Sequence, residues 1–308
     1  MRAAYCNTLI EEAKKDDRII AIDCDLMSSM GMKPFAEAFP TRHFNVGIAE
    51  SNGVGIAGGM SAAGLIPFFH TFSAFASRRV YDQVFLTCAY AGQNVKIIGG
   101  DAGVTATYNG GTHMSFEDMG IMRIMPTVTV LEPTDAVMMR DLVPKLVRHD
   151  GVVYLRTPRK ATAKIYAEGS RFTLGEAVTI REGKDATVIA QGLLVSEAIK
   201  AADILSAEGI EITVLDMFTV KPIDKAAILV CAKETGAIVT AENHNIIGGL
   251  GSAVAEVLVE NTPVPMERLG VMDTFGEIGE LPYLMRRFGL TASNIVEKTK
   301  LVIQRKYN

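Results

Sequence analysis

Short apolar runs recur along the first half of the chain, and segments with helical spacing flank several of them. The apolar runs are RIIAIDCD (18–25), IPFFH before Phe72, NVKIIGG (94–100) and VVYLRTPR (152–159). Runs of this length that end in Gly, Asp or Pro are typical of strands. The flanking segments 2–15 and 50–64 are long enough for helices. Such alternation predicts an α/β fold.

The same alternation returns in the second half of the chain. Three strand-like runs, KDATVIAQG, IEITVLDM and GAIVTAEN, are each followed by a helical segment. Between the halves the composition shifts at RTPRKATAKIYAEGS, which carries Pro, Lys and Gly and has little periodicity. We therefore predict two doubly wound α/β domains, residues 1–162 and 172–308, the second with a mostly parallel sheet.

Length, charge and cysteine usage exclude several classes of protein. The 308 residues suit two domains, and the net charge of −4 argues against nucleic-acid binding through a basic face. No apolar run is long enough to cross a bilayer, and charges interrupt the N-terminus before a signal-peptide core could form. The four cysteines are scattered and form no CxxC pair, which favours reduced thiols in the cytoplasm.

A candidate site begins at HFNVGIAE, which ends in Glu50 among small and apolar residues. A carboxylate in apolar surroundings has a raised pKa and can carry a proton near neutral pH. Phe72 and Phe75 are three residues apart, so their rings can present one face to a flat heterocycle. An acid beside a heterocycle on aromatic rings suits thiamine diphosphate. The alternative is a buried glutamate beside a glycine-rich packing helix, with two core phenylalanines.

The stretch VGIAESNGVGIAGGMSAAGLIPFFHTFSAF closely resembles the pyrimidine-binding domain of transketolases and of their relative 1-deoxyxylulose-5-phosphate synthase. The resemblance implies that Glu50 is catalytic and that Phe72 and Phe75 hold the thiamine diphosphate ring. It also places Asp25 near the thiamine. Arg78 stands where a tyrosine that contacts the pyrimidine is common, so Arg78 joins the predicted cofactor site.

A second group of candidate residues lies in the long Gly/Thr segment 101–118, which contains NGGTH. Its glycines allow close backbone approach, and His113 offers an imidazole with a near-neutral pKa. NGGTH resembles the DGPTHQ loop of transketolases, which implies a catalytic and substrate-binding role for His113. Asn109 replaces the usual aspartate, and Asp101 falls near a position often held by a phosphate-contacting histidine. A carboxylate at that position would repel a phosphate.

The resemblance also implies substrate contacts from Arg2, Ser29 and Arg156. Arg2 and the strand-end Arg156 correspond to phosphate-binding arginines, and Ser28 and Ser29 lie in a loop that often helps to hold a sugar phosphate. Of the two arginines in YLRTPR, the spacing favours Arg156 over Arg159. The alternative for each arginine is an ordinary surface residue.

The GDG motif that marks the diphosphate and Mg²⁺ site of thiamine enzymes is missing from this sequence. We therefore predict half an enzyme with no metal ligands of its own, completed by an N-terminal transketolase subunit that binds the diphosphate and Mg²⁺. The resemblance implies a homodimer within a heterotetramer, with the small-residue helix 51–64 at the twofold interface. The second domain receives no catalytic role, and its His244 is interpreted as structural or interfacial.

These features predict the C-terminal subunit of a split transketolase, which transfers a two-carbon ketol unit between sugars or sugar phosphates. The changed loop residues predict altered specificity, for an unusual or modified sugar. One alternative is the β subunit of a 2-oxo-acid dehydrogenase, whose pattern would have an HSQ-like loop in place of NGGTH. The other is a regulatory paralogue that has kept the fold and lost turnover.

Overall fold

The computed structural model describes residues 1–159 and 162–306 and contains two β-sheets. The strands are β1 Ile19–Asp23, β2 His43–Asn45, β3 Ile66–Phe72, β4 Lys96–Gly100, β5 Thr129–Leu131, β6 Val153–Thr157, β7 Val178–Arg181, β8 Ala186–Ala190, β9 Ile212–Asp216, β10 Thr219–Lys221, β11 Ile238–Asn245 and β12 Met266–Val271. The α-helices are α1 Arg2–Ala13, α2 Met27–Met30, α3 Lys33–Ala38, α4 Glu50–Ala62, α5 Ser73–Ala76, α6 Tyr81–Gln83, α7 Asp118–Ile124, α8 Ala136–Arg148, α9 Leu194–Ala207, α10 Lys225–Thr235, α11 Leu250–Asn261, α12 Leu281–Arg287 and α13 Ala292–Lys306. A π-helical segment covers Val84–Tyr90, and 3₁₀ segments cover Arg78–Val80 and Gly103–Asn109.

The first sheet has seven strands in the order β10-β5-β6-β4-β3-β1-β2. Strands β1 to β6 are parallel, and every residue of β1, β3, β4 and β6 is buried. Full burial explains their nearly continuous apolar sequences, because helices cover both faces of a parallel sheet. The carboxyl ends of β1, β3, β4 and β6 consequently lie side by side at one edge.

The second sheet has the order β12-β11-β8-β9-β7, with only β7 antiparallel to its neighbour. The two mostly parallel sheets confirm the predicted fold class. Strand β10 was not predicted from the sequence; it lies in the second half of the chain but pairs antiparallel with β5 of the first sheet. A strand of three residues carries too little periodicity to reveal its partner.

The two domains meet through the start of the 101–118 segment. Asn243 accepts a hydrogen bond from the Val104 amide at 3.0 Å and donates one to the Ala102 carbonyl at 3.1 Å. A Cβ atom at Gly103 would lie 2.2 Å from the Asn243 side chain, so only glycine fits there. His244 is buried and accepts from the Gly120 amide at 3.2 Å, which places it between the two domains. Residues 160–161, within the stretch RTPRKATAKIYAEGS where the composition shifts, lie outside the described residues.

The small residues of α4 divide between two faces. A Cβ atom on Gly53 would lie 2.6 Å from the Phe69 ring, and one on Gly58 would lie 2.5 Å from Thr87. These two glycines therefore serve packing within the domain. Gly55 and Gly59 meet open space instead. Only this second pair remains available for the predicted interface between copies of the chain.

Candidate active site

Chemically useful side chains collect at the carboxyl edge of the first sheet. Asp25 follows β1, Phe72 ends β3, Asp101 directly follows β4, and Arg159 lies two residues beyond β6. These four strands are consecutive neighbours in the sheet. Ligands of open α/β sheets bind at this edge, where the strand order also reverses.

Glu50 is the first residue of α4, and only 3% of its surface is exposed. Its Oε1 accepts a hydrogen bond from the Thr71 hydroxyl at 3.3 Å, and its Oε2 accepts from Nη1 of Arg79 at 2.7 Å. The carboxylate therefore has one oxygen directed toward β3 and the other held by a cation. The surroundings are less apolar than the sequence suggested, because the contact with Arg79 was not anticipated.

Aromatic side chains surround the same position. The guanidinium carbon of Arg79 lies 3.8 Å from the centroid of the Phe75 ring. The His113 ring meets Phe75 edge-on at 5.0 Å and Phe72 at 5.8 Å between centroids. The structure thus brings together Glu50, both phenylalanines and His113, which are separated by up to 63 positions in the sequence.

The Glu50–Phe75 pair fits the ring of thiamine diphosphate. The Arg79 guanidinium is planar, lies over the Phe75 ring and donates an N–H to Glu50. A protonated aminopyrimidine has the same three properties, so the guanidinium acts as a stand-in for it. The Glu50–Phe75 pair therefore favours the binding of a flat cation that carries an N–H donor.

Arg78 does not contact this pair, although the sequence resemblance assigned it to the cofactor site. Its guanidinium donates to Glu117 at 2.9 Å and to the carbonyl of Thr112 at 2.5 Å. Arg78 therefore holds the loop that carries His113. The sequence SRR contains both arginines, but it does not indicate which of the two lies beside Glu50.

His113 is half-buried, and its Nδ1 lies 2.8 Å from the Thr112 hydroxyl. Burial lowers the pKa of His113, the positive charges of Arg79 and Arg78 lower it further, and Asp101 opposes them. A neutral imidazole near pH 7 can accept a hydrogen bond from a sugar hydroxyl or take its proton.

Asp101 lies between two arginines. One carboxylate oxygen accepts from Nη2 of Arg2, and the other accepts from Nη1 of Arg159 at 3.1 Å. Asp101 is 1% exposed, and burial raises the pKa of its carboxyl while both arginines oppose that rise. Among the described residues, the buried Nε of Arg2 has no hydrogen-bond acceptor. These three side chains, called here the Arg–Asp–Arg cluster, form a positively charged corner at the sheet edge.

Arg156 does not belong to that corner, so its predicted place in the substrate site is wrong. It lies within β6, is fully buried, and pairs with Asp118 and Glu132 at 2.9 Å each. It also donates to the Asn243 carbonyl at 3.1 Å. A guanidinium enclosed in this way joins the two domains and cannot reach a substrate. Arg159, which the sequence spacing disfavoured, takes its place at the strand end.

The other predicted residues have more open positions. Asp25 is exposed, has a φ of 62°, and its carboxylate accepts from the Asn45 amide at 3.3 Å. Ser29 is half-buried in α2, and Asn109 is half-buried where the 3₁₀ segment ends. Their assigned roles stay predictions. Within residues 1–159 and 162–306, no group of three His, Cys, Asp or Glu side chains could hold a metal ion.

The family model for the transketolase pyrimidine-binding domain matches residues 1–164. The chain belongs to the transketolase family. The model for the transketolase C-terminal domain matches residues 175–295, so the two matched regions follow one another along the chain. Both agree with the resemblance found in the sequence.

Two curated transketolase subunits match this family member over nearly their whole lengths. The 6-deoxy-6-sulfo-D-fructose transketolase subunit SqwH of Clostridium sp. (strain MSTE9) is 52% identical over 306 residues, covering 99% of the chain and 95% of the relative. An apulose-4-phosphate transketolase subunit of Phocaeicola vulgatus is 37% identical over 306 residues, covering 99% of the chain and 97% of the relative.

A solved structure described as a split gene transketolase, inactive beta4 tetramer, superposes with a TM-score of 0.92. It is 40% identical and covers 99% of this chain and 98% of that one. The chain is accordingly the C-terminal subunit of a split, thiamine-dependent transketolase, and its activity is that of a transketolase-type transferase. Within the described residues, no helix has both the length and the apolar character needed to cross a membrane.

Proposed function

We propose that this chain shares its active site with an N-terminal subunit that binds the diphosphate and Mg²⁺. The assembled enzyme, a heterotetramer with two copies of each chain in the cytoplasm, moves a two-carbon ketol unit from a ketose to an aldose. The chain without its partner is inactive, as is the related beta4 tetramer. Neither family model that matches this chain describes a diphosphate-binding domain, which supports a partner chain in that role.

The placement of Glu50 against Phe75 is the observation that carries this proposal. Thiamine diphosphate, when bound, supplies the carbanion chemistry of ketol transfer. Glu50 would hold a proton at the ring nitrogen of the aminopyrimidine, and Phe72 and Phe75 would provide an apolar surface for the ring. His113, whose ring touches both phenylalanines, exchanges a proton with the substrate oxygen nearby.

The Arg–Asp–Arg cluster supports an anionic substrate. Arg2 and Arg159 stand at the same sheet edge as His113, and Asp101 is near enough to influence the pKa of His113. Guanidinium groups bind phosphate and sulfonate oxygens through paired N–H donors. We propose that the ketose carries a phosphate or sulfonate at the end away from its carbonyl. The names of both relatives include an anionic sugar of this kind.

Replacing Glu50 by Gln tests the catalytic assignment. The complex of this chain with its N-terminal partner should transfer ketol units from an anionic ketose, and E50Q should lower kcat by about a hundredfold or more, because Gln cannot hold the proton. The control is E37Q, which removes an exposed carboxylate on α3. Turnover of E50Q within about threefold of the wild-type complex would overturn the assignment.

A further inference from the structure

The charge of the Arg–Asp–Arg cluster sets a limit on the anion it can accept. Two guanidinium groups and one carboxylate give a net charge of +1. Two other arginines near the site are each paired with a carboxylate, Arg79 with Glu50 and Arg78 with Glu117. A corner with one positive charge matches one negative charge better than two.

Sulfonate and phosphate differ in this respect. A sulfonate carries one negative charge, whereas a phosphate monoester carries about 1.5 to 2 at pH 7. We propose that Asp101 is a specificity residue that makes the site select a sulfonated ketose over the corresponding ketose phosphate. This inference rests on the proposed function and adds the substrate class to it.

Burial makes Asp101 effective in this role. The side chain is 1% exposed, so little water screens its charge from a ligand that approaches the same arginines. Each arginine already donates one N–H to Asp101, which leaves fewer donors for a ligand. The buried Nε of Arg2, without an acceptor among the described residues, is one donor that a sulfonate oxygen can use.

The backbone at Asp101 determines which substitution gives a clean test. Its φ of 59° lies in the left-handed region, which Asn tolerates well and Ala does not. Asn also keeps an oxygen that accepts from one arginine and has nearly the same volume. D101N therefore removes one negative charge while retaining the shape and conformation of the site.

The experiment compares three donors in the complete complex, with glycolaldehyde as an uncharged acceptor. The donors are 6-deoxy-6-sulfo-D-fructose, D-fructose 6-phosphate and D-fructose. The wild-type complex should have the highest kcat/KM for the sulfonated donor. D101N should shift the sulfonate-to-phosphate ratio of kcat/KM toward phosphate by about tenfold or more, and the value for fructose measures any change in catalysis that does not depend on the anion.

The possible outcomes separate the inference from the proposed function. An unchanged ratio in D101N, or a wild-type preference for the phosphate, would overturn the role of Asp101 and leave ketol transfer intact. No transfer from any donor would overturn the proposed function itself. If D101N fails to fold, competition in the wild-type complex decides instead: methanesulfonate should inhibit the sulfonated donor more strongly than inorganic phosphate, and the reverse order contradicts the inference.

Discussion

Arg79 contacts Glu50 and Phe75, the two side chains that the thiamine ring needs for its own binding. Its guanidinium donates to Glu50 and covers the Phe75 ring in this structure, so cofactor binding has to displace it. Sequence patterns cannot reveal such a contact, because it depends on the rotamer that one of two adjacent arginines adopts. The motif around Glu50 did predict the acid and the rings, since those positions are fixed by the strand end and the helix start.

Removing the Arg79 side chain should strengthen cofactor binding. A half-exposed cation–π contact is worth about 0.5–1 kcal/mol, so R79A should lower the Kd for thiamine diphosphate by about two- to fivefold in the assembled complex. Calorimetric titration with Mg²⁺ present measures this. R42A is the matched control, because Arg42 makes the same kind of contact with Phe39. Weaker binding by R79A would mean that Arg79 holds the cofactor.

At the scale of elements, strand ends decided which arginine reaches the site. The pattern YLR suggested Arg156, but β6 continues through Thr157, so Arg156 remains inside the layered fold. Only Arg159 extends beyond the last strand residue. The sequence located this strand at 152–159, close to its observed bounds, but the choice of Arg156 came from the spacing of the family resemblance and not from the strand end.

Arg156 should therefore matter for stability and hardly at all for substrate affinity. R156M leaves the buried carboxylates of Asp118 and Glu132 without their cation, which should lower the free energy of unfolding by about 3–5 kcal/mol. R159M, at a half-exposed position, should cost less than about 1 kcal/mol and instead raise KM for anionic donors. Urea denaturation and donor kinetics measure both effects. The opposite assignment would follow if R156M were stable and defective only in KM.

At the scale of the whole molecule, buried polar groups join the two domains in ways that the sequence did not predict. Asp216 at the end of β9 accepts from the hydroxyls of Thr134 and Tyr166 at 2.6 Å each. Thr134 belongs to the first domain, and Tyr166 belongs to the connection. The sequence showed two α/β units and a boundary region, but such contacts form only once the domains have packed.

Asp216 should make stability depend on pH. Burial raises its pKa to about 7, so the folded protein binds more protons than the unfolded chain between about pH 4 and 7. The stability that Asp216 contributes is present below about pH 4 and is lost as pH rises through 7. D216N cannot ionise, so its free energy of unfolding relative to wild type should rise by about 1–3 kcal/mol between about pH 4.5 and 8.

Asp141 provides a control, because its contribution to stability should change with pH in the direction opposite to that of Asp216. Burial acts to raise its pKa, but hydrogen bonds from Lys145 and Arg171 lower it overall. The stability that Asp141 contributes is present above the pKa of the unfolded chain and is lost as pH falls. D141N should therefore lose stability relative to wild type as pH rises from acid to neutral. Parallel urea titrations check both variants, and the same slope for both would contradict the assignment.

The central claim is that this chain supplies the pyrimidine side of a thiamine site shared between two subunits. Calorimetric titration of thiamine diphosphate with Mg²⁺ into this chain, its N-terminal partner and their complex tests that claim most directly. We predict strong binding to the complex, with each separate subunit at least about a hundredfold weaker. Equally tight binding by this chain without its partner would contradict the claim, as would a complex that binds no better than its parts.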